Sequence, residues 1–330
     1  MLMFLVTAPS ASPAAALKVV ATLPDLAGLA REVGGSRVEV SCIAKGSQDP
    51  HYVDPKPSFM VKLRQADLFL VNGLDLEIGW VPPLLAGAGN PAINVGAAGY
   101  VDCSAGVPVL EVPGHELTRA DGDIHPFGNP HYLLDPLNGI LVARTICEAF
   151  KRHDAAGAAA YDANLNAFAS KLYEALFGKD LVENVGGTKL DRMARGGELD
   201  GFLKSNPELK AGGWLGRMRP LQGQPIVVYH RNYSYFVQRF GIAVAGEVEP
   251  KPGIPPSAKH MVEVVAVIKS GNIKVIATQP FFDSRAPDLI ASKTGAKVVT
   301  LPSSTDQVAG VGTYLELFDA STRSLSEAMK

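Results

Sequence analysis

Apolar and polar positions along this chain follow two alternating periods. Short β-branched runs at residues 17–22 (LKVVAT) and 38–43 (VEVSCI) predict strands. Between them, residues 25–33 carry apolar side chains three and four positions apart and end at Gly34-Gly35, which predicts an amphipathic helix. Repeated alternation of strand and helix predicts an α/β lobe with a largely parallel sheet.

The same alternation returns in the second half of the chain, beyond a long helical pattern. From Tyr161 to Phe177, aromatic and leucine residues recur every three or four positions without Pro or Gly, which predicts one long amphipathic helix. Its central position indicates a rigid connector between two lobes. Residues 178–213 are polar and Gly-rich, and we interpret them as an insertion with one short helix.

The predicted fold is therefore α/β, with two lobes of mainly parallel sheets joined by one long connecting helix. The predicted divisions are residues 1–16 for the remnant of an export signal, 17–153 for the N-terminal lobe, 154–178 for the connecting helix, 179–213 for the insertion and 214–330 for the C-terminal lobe. A length of 330 residues suits two domains. Ligands of such folds bind at the carboxyl ends of the strands, so we expect a site between the lobes.

The N-terminus is typical of an export signal that lacks its basic beginning. An apolar start is followed by the small residues Ala14-Ala15-Ala16, which fit a cleavage site. The alternative is a disordered apolar tail. No cysteine follows this point directly, so we expect a periplasmic protein without a lipid anchor.

Composition and charge argue against several classes of function. The formal net charge is −2 and no Lys/Arg run occurs, so nucleic-acid binding is not expected. No stretch reaches the about 20 apolar residues that cross a bilayer. Cys42, Cys103 and Cys147 allow one disulfide at most, and the sequence does not identify the pair. We expect a monomer.

Three histidines and one aspartate lie where a metal could be bound. His51 follows the predicted strand 38–43 in DPHYVDPKPS, His230 ends PIVVYH, and Asp283 follows IKVIATQPFFD. His131 lies in the loop GNPHYLLDP. Imidazole suits zinc, copper, nickel and iron, and a carboxylate adapts to zinc or manganese. Three histidines and one aspartate could close a tetrahedral zinc site.

Each of these residues also has an ordinary structural interpretation. A single loop histidine is usually only solvated, and Asp283 could cap a helix that begins near Ala286. Asp135, before Pro136, is better interpreted as such a cap than as a ligand. The residue pattern alone therefore makes a weak prediction of a metal site.

Over most of its length, from Lys18 to Ala328 apart from 178–213, the chain resembles the zinc/manganese-binding family of ABC-transporter solute-binding proteins. The matching stretches are DPHYVDPKPS with RQADLFLVNGLDLE, then GNPHYLLDP, VVYHRNYSYFVQRFGI and IATQPFFDSRAPDLIASKTGAKVV. The family fold, two α/β lobes joined by a long helix, agrees with the pattern described above.

The resemblance implies that His51, His131 and His230 are metal ligands. In this family a histidine at the third position tends to accompany zinc, and a glutamate manganese. Many relatives carry Glu where this chain has Gln279, and other relatives use an acidic residue at the position of Asp283. We therefore assign Asp283 as the fourth ligand, with Gln279 or water as alternatives.

The loop before His131 is a further place for metal chemistry. Zinc-binding members often carry a long loop there that is rich in histidine and acidic residues. Here the loop is short, and its residues of this kind are His115, Glu116, Asp121, Asp123 and His125. It could gather metal or be an ordinary solvated loop. We interpret His153 and His260, both on predicted helices, as structural or solvated.

The expected function is capture of a transition-metal dication, most simply Zn²⁺, and its delivery to an ABC permease of the inner membrane. One alternative is a manganese- or iron-binding member of the same family, and another is a surface adhesin or metal chaperone without a transporter. A zinc hydrolase would need an open coordination position and a general base, for which Glu77 and Glu249 are the candidates. We expect a binding protein and not an enzyme.

Overall fold

The computed structural model describes residues 15–114 and 125–330, and two four-stranded sheets form its framework. The strands are β1 (Leu17–Ala21), β2 (Val38–Cys42), β3 (Leu68–Val71), β4 (Tyr100–Asp102), β5 (Pro225–Val228), β6 (Ala243–Glu247), β7 (Val275–Thr278) and β8 (Lys297–Thr300). The sheet orders are β2-β1-β3-β4 and β6-β5-β7-β8, and every pairing in them is parallel. The predicted α/β class with two parallel sheets is confirmed.

Helices cover both sheets. They are α1 (Pro24–Gly34), α2 (Pro57–Arg64), α3 (Val81–Ala88), α4 (Pro136–His153), α5 (Ala158–Phe177), α6 (Lys179–Val185), α7 (Gly187–Arg195), α8 (Leu199–Ser205), α9 (Gly213–Met218), α10 (Ser234–Phe240), α11 (Ala258–Ser270), α12 (Arg285–Thr294) and α13 (Tyr314–Ala328). Asp135 caps α4, since its side chain accepts a hydrogen bond from the backbone N–H of Leu137, as predicted.

The predicted long helix is present as α5, and it is packed along its length. Phe168, Leu172 and Leu176 are buried on one face. The helix contacts α1 and α4 of the N-terminal lobe and α9 at the beginning of the C-terminal lobe. Because residues of both lobes belong to one continuous hydrophobic core, the two lobes are held together by packing as well as by the connecting chain.

The Gly-rich stretch after α5 contains three short helices, α6 to α8, where the sequence pattern predicted one. Glycines lie at the helix ends, as at Gly186 with a φ of 90°. Each helix buries a leucine, namely Leu181, Leu190 and Leu199. The glycines therefore mark the boundaries of α6 and α7, and all three helices are too short for a clear helical period to appear in the sequence.

Buried polar contacts also tie the lobes together beside the sheet ends. Asp25 at the start of α1 accepts hydrogen bonds from the Ser304 hydroxyl at 2.6 Å and the Thr305 backbone N–H at 2.8 Å. Arg239 of α10 makes a bidentate ion pair with Asp135, at 2.9 and 2.7 Å. These contacts favour a fixed spacing between the lobes.

Two segments named in the sequence predictions lie wholly or mostly outside the described ranges, namely the N-terminus and the loop before His131. Most of the predicted signal remnant, residues 1–16, and the loop residues from His115 to Asp123 lie outside the described ranges. Within the described ranges, no helix is both long and apolar enough to cross a membrane.

Candidate metal centre

Three of the four predicted ligands meet in the crevice between the lobes. His51, His131 and His230 each place a ring nitrogen within 4.8 Å of the others. Their ring centroids are 5.3 to 5.8 Å apart. His51 and His131 come from loops of the N-terminal lobe, and His230 lies two residues beyond β5 in the C-terminal lobe. The lobes must therefore be assembled before the cluster exists.

The two histidines of the N-terminal lobe are oriented by the same local motif. In Asp49-Pro50-His51, the aspartate Oδ1 accepts hydrogen bonds from the His51 backbone N–H at 3.0 Å and from its Nδ1 at 2.7 Å. In the sequence Asn-Pro-His that ends at His131, Asn129 Oδ1 accepts from the corresponding atoms, both at 3.0 Å. Because Nδ1 carries the proton in both rings, Nε2 is left with its lone pair facing the crevice.

The third histidine is oriented by a carboxylate from the neighbouring strand. His230 Nδ1 donates to Glu249 Oε2 at 2.8 Å, and the backbone N–H of Gly253 donates to the same oxygen at 3.2 Å. Glu249 lies just beyond β6, which pairs with β5. Both side chains are almost fully buried, with 9% and 8% exposure. A carboxylate in this position fixes the ring and makes Nε2 a stronger metal ligand.

The protonation states at the cluster suit cation binding. Burial would raise the pKa of Asp49, but hydrogen bonding and charge from His51 outweigh it and lower that pKa, so the carboxylate is ionised. Burial lowers the pKa of His131 well below its usual value, and the neighbouring imidazoles lower it further. His131 is therefore neutral at neutral pH, the form that binds a metal.

The fourth predicted ligand, Asp283, is directed away from this cluster. Its side chain is 48% exposed and accepts hydrogen bonds from Arg285, from Nε at 2.7 Å and from the backbone N–H at 2.9 Å. It thus holds the first turn of α12, close to the capping role considered as its alternative. Arg285 lowers its pKa to about 2. Asp283 does not line the crevice that holds the three histidines.

The alternative fourth ligand, Gln279, does line that crevice. It is 4% exposed, and its Oε1 has no hydrogen-bond partner among the described residues. Phe281 and Phe282 line the same wall, and the Phe282 ring lies 5.7 Å from the His230 ring. The two rings thus form an apolar wall beside His230.

The remaining histidines of the described residues divide into two groups. His125, the last residue of the loop before His131, places its Nε2 3.2 Å from that of His51, and the two rings are stacked. His153 contacts the Ala149 carbonyl at the end of α4, and His260 contacts the Glu247 carbonyl. The last two have structural contacts, in agreement with their sequence interpretation.

The glutamates proposed as general bases both have structural partners. Glu249 holds His230, as described above. Glu77 is buried and accepts hydrogen bonds from the backbone N–H groups of Asn72 at 2.7 Å and Gly73 at 3.1 Å, and burial raises its pKa to about 7.

The three cysteines are free thiols, so no disulfide forms. Cys147 lies near Glu148 and Asp162 in a second group of possible ligands. The Lys151 ammonium already contacts both carboxylates, at 2.8 and 3.0 Å. A cation of the protein thus takes the place that a metal would need, and this group is a surface ion-pair network.

The contacts that orient the histidines were not among the sequence predictions. For Asp49 and Asn129 a signal existed, because an acid or amide followed by Pro-His-Tyr occurs twice in the chain. Glu249 was named only as a candidate general base. No local signal linked it to His230, since it lies 19 residues away and approaches only through pairing of β5 with β6.

Comparison with known proteins places this architecture in a family. The profile of the family described as zinc-uptake complex component A, periplasmic, matches residues 19–176 and 216–328. The metal ABC transporter substrate-binding lipoprotein FimA of Streptococcus parasanguinis is 26% identical, over 86% of this chain and 78% of its own length. The manganese ABC transporter substrate-binding lipoprotein PsaA of Streptococcus pneumoniae is 32% identical, over 47% of this chain and 48% of its own.

A solved structure supports the same conclusion about the fold. The crystal structure of ZnuA aligns with a TM-score of 0.71 and 22% identity, covering 96% of this chain and all of that one. The match to the family profile spans most of the chain, and the family consists of transport proteins and not enzymes. The chain therefore belongs to the ZnuA family, the metal-binding solute-binding proteins of ABC transporters.

Proposed function

We propose that this protein captures Zn²⁺ outside the cytoplasm through His51, His131 and His230 and delivers it to an ABC permease. The main observation in support is the cluster of three imidazoles, in which each Nδ1 atom donates a hydrogen bond to an acceptor of the protein. Their Nε2 atoms are thus prepared to bind one ion between the lobes. A metal site whose ligands are already oriented loses less entropy on binding.

The donor set supports zinc over manganese. Imidazole nitrogen suits zinc, whereas manganese favours carboxylate and other oxygen ligands. The one acidic ligand predicted from the sequence, Asp283, is held by Arg285 outside the crevice. Manganese remains the second candidate, because PsaA, the relative from S. pneumoniae, is named for it.

Capture and release would proceed with little movement of the lobes. The shared core, the packed helix α5 and the buried contact of Asp25 with Ser304 and Thr305 all oppose a wide hinge opening. We therefore expect binding to order the loops around the histidines rather than to close two separate domains. The loaded protein would then dock on the permease as a monomer.

Competition between metals tests this proposal. Metal-stripped protein is titrated with Zn²⁺ in the presence of excess Mn²⁺, and the metal retained per chain is counted by elemental analysis. We expect one tightly held Zn²⁺ that Mn²⁺ does not displace. Because zinc usually binds more tightly than manganese whatever the biological cargo, growth of a deletion strain on limiting zinc or limiting manganese is the second measurement. Rescue by manganese alone would overturn the choice of zinc.

A further inference from the structure

We propose that His125 supplies the fourth ligand, so that the captured ion is held by four imidazoles and no carboxylate. This inference rests on the proposed function and deepens it, because it completes the donor set and explains the choice of metal. It replaces Asp283, which the family resemblance suggested for the same role.

The first support is the contact between His125 and His51. Their Nε2 atoms are 3.2 Å apart. A tetrahedral zinc ion with Zn–N bonds of about 2.0–2.1 Å separates neighbouring nitrogens by about 3.3 Å. Since Asp49 holds the proton of His51 on Nδ1, the His51 atom that meets His125 is the one with the lone pair, and it accepts the Nε2 proton of His125 until a metal binds. The two nitrogens are thus spaced as one edge of a zinc tetrahedron, and His125 lines a pocket together with His131 and His230. The ring nitrogens of His51, His131 and His230 already lie within 4.8 Å of one another, so the His125 ring would move toward the other two when the ion binds.

The second support is that the turn after His125 is fixed to both lobes. The backbone N–H of Gly128 donates to the His125 carbonyl at 3.1 Å, and the N–H of Asn129 donates to the Leu110 carbonyl at 2.9 Å. Asn129 Nδ2 donates to the carbonyl of Arg231, the residue after His230, at 2.8 Å.

A side chain could not be added at the turn itself. Gly128 has a φ of 100°, and a Cβ there would lie 2.4 Å from Val109. The chain therefore reaches His131 along a defined path that brings His125 to the crevice.

The third support is the distribution of charge. Four imidazoles carry no formal charge, so the two positive charges of the ion need compensation nearby. Asp49 and Glu249 provide two carboxylates, each bonded to Nδ1 of a ligand histidine at 2.7 and 2.8 Å. Charge compensation from outside the coordination sphere leaves all four positions to nitrogen, a set that zinc accepts and manganese does not favour.

The test compares alanine variants of two histidines with a matched control. His125→Ala, His51→Ala and the control His153→Ala are prepared as full-length, metal-stripped protein, and thermal unfolding establishes that each is folded. Zn²⁺ affinity is measured by competition with a chelator. X-ray absorption at the zinc K edge then counts the imidazoles bound to zinc in the wild type and in His125→Ala.

We expect four imidazoles in the wild type and three in His125→Ala. Since a four-ligand site shares its binding free energy among its ligands, loss of one should weaken zinc binding by about 100-fold or more. His153→Ala should bind as the wild type does.

Each other outcome separates this inference from the proposed function. If His51→Ala loses zinc while His125→Ala keeps the zinc affinity and the number of bound imidazoles of the wild type, His125 only hydrogen-bonds to His51. That result overturns the role of His125 as a ligand but leaves the proposed function intact. Three imidazoles and one oxygen in the wild type also overturn it, and Gln279→Ala and Asp283→Ala then identify the oxygen donor. If neither His51→Ala nor His125→Ala alters zinc binding, the proposed function falls as well.

Discussion

The loops that follow β5 and β7 begin at the same edge of one sheet, and each contains a residue predicted to bind metal. In the loop after β5, His230 is buried and its ring is held by Glu249. In the loop after β7, Asp283 is half exposed and its carboxylate is held by Arg285. The strands are neighbours, but only the first loop delivers its residue to the crevice.

The difference lies in the partner of each side chain. Glu249 accepts the Nδ1 proton of His230 and leaves Nε2 free to bind a metal, so the contact increases the capacity of the histidine as a ligand. Arg285 takes up both oxygens of Asp283, so the contact occupies the atoms that would bind a metal. A position at the carboxyl end of a strand is therefore not sufficient for a ligand. Whether the residue can bind a metal depends on the other hydrogen bonds that its side chain makes.

The largest effect is expected from His230→Ala. Removing an imidazole from the cluster should lower zinc affinity by about 100-fold or more, because a metal site loses a full bond and a water must replace it. Competition with a zinc chelator measures the loss. The control is His153→Ala, whose histidine contacts only the end of α4. Equal affinities of the two variants would contradict the assignment of His230.

A smaller loss is expected from Glu249→Gln, which removes the charge but retains an oxygen to accept the Nδ1 proton. Partners of metal-binding histidines typically contribute 10-fold to 100-fold in affinity, so we expect a loss of about 10-fold. Isothermal titration of stripped protein at constant pH measures it. An unchanged affinity would mean that the carboxylate only fills space beside His230.

A modest effect is expected from lowering the pH from 7.5 to 6.5. Zinc binds neutral imidazole, so protons compete and affinity falls as the pH falls. His131 adds nothing to this loss, because its pKa lies well below that range and it stays neutral. Chelator competition at both pH values measures the ratio. A rise in affinity at the lower pH would contradict an imidazole site.

The smallest effect is expected from Asp283→Asn, the counterpart of Glu249→Gln in the neighbouring loop. Both variants remove one negative charge, but Asp283 forms an exposed ion pair outside the crevice. Zinc affinity should change by less than about twofold, as is usual for exposed charges. The same titration measures both variants. A loss as large as that of Glu249→Gln would return Asp283 to the metal site.

Much of the fold follows from local periodicity. The alternation of strands and helices and the long helical run at 161–177 are properties of short windows, and β1, β2 and α5 form where those windows lie. The helices α6 to α8 were harder to predict, because helices of seven to nine residues contain too few turns to establish a period.

Part of the candidate site also follows from the sequence, and the rest depends on the tertiary structure. The sequence itself determines the types of the site residues and the loops in which they lie. It also determines the repeated motif that holds His51 and His131, because an acid or amide two positions before a histidine can reach its Nδ1 within one turn. Only the tertiary structure decides that Glu249 meets His230 and that His125 meets His51. Those distances depend on the order of strands in the sheet and on the packing of the two lobes, which no local pattern encodes.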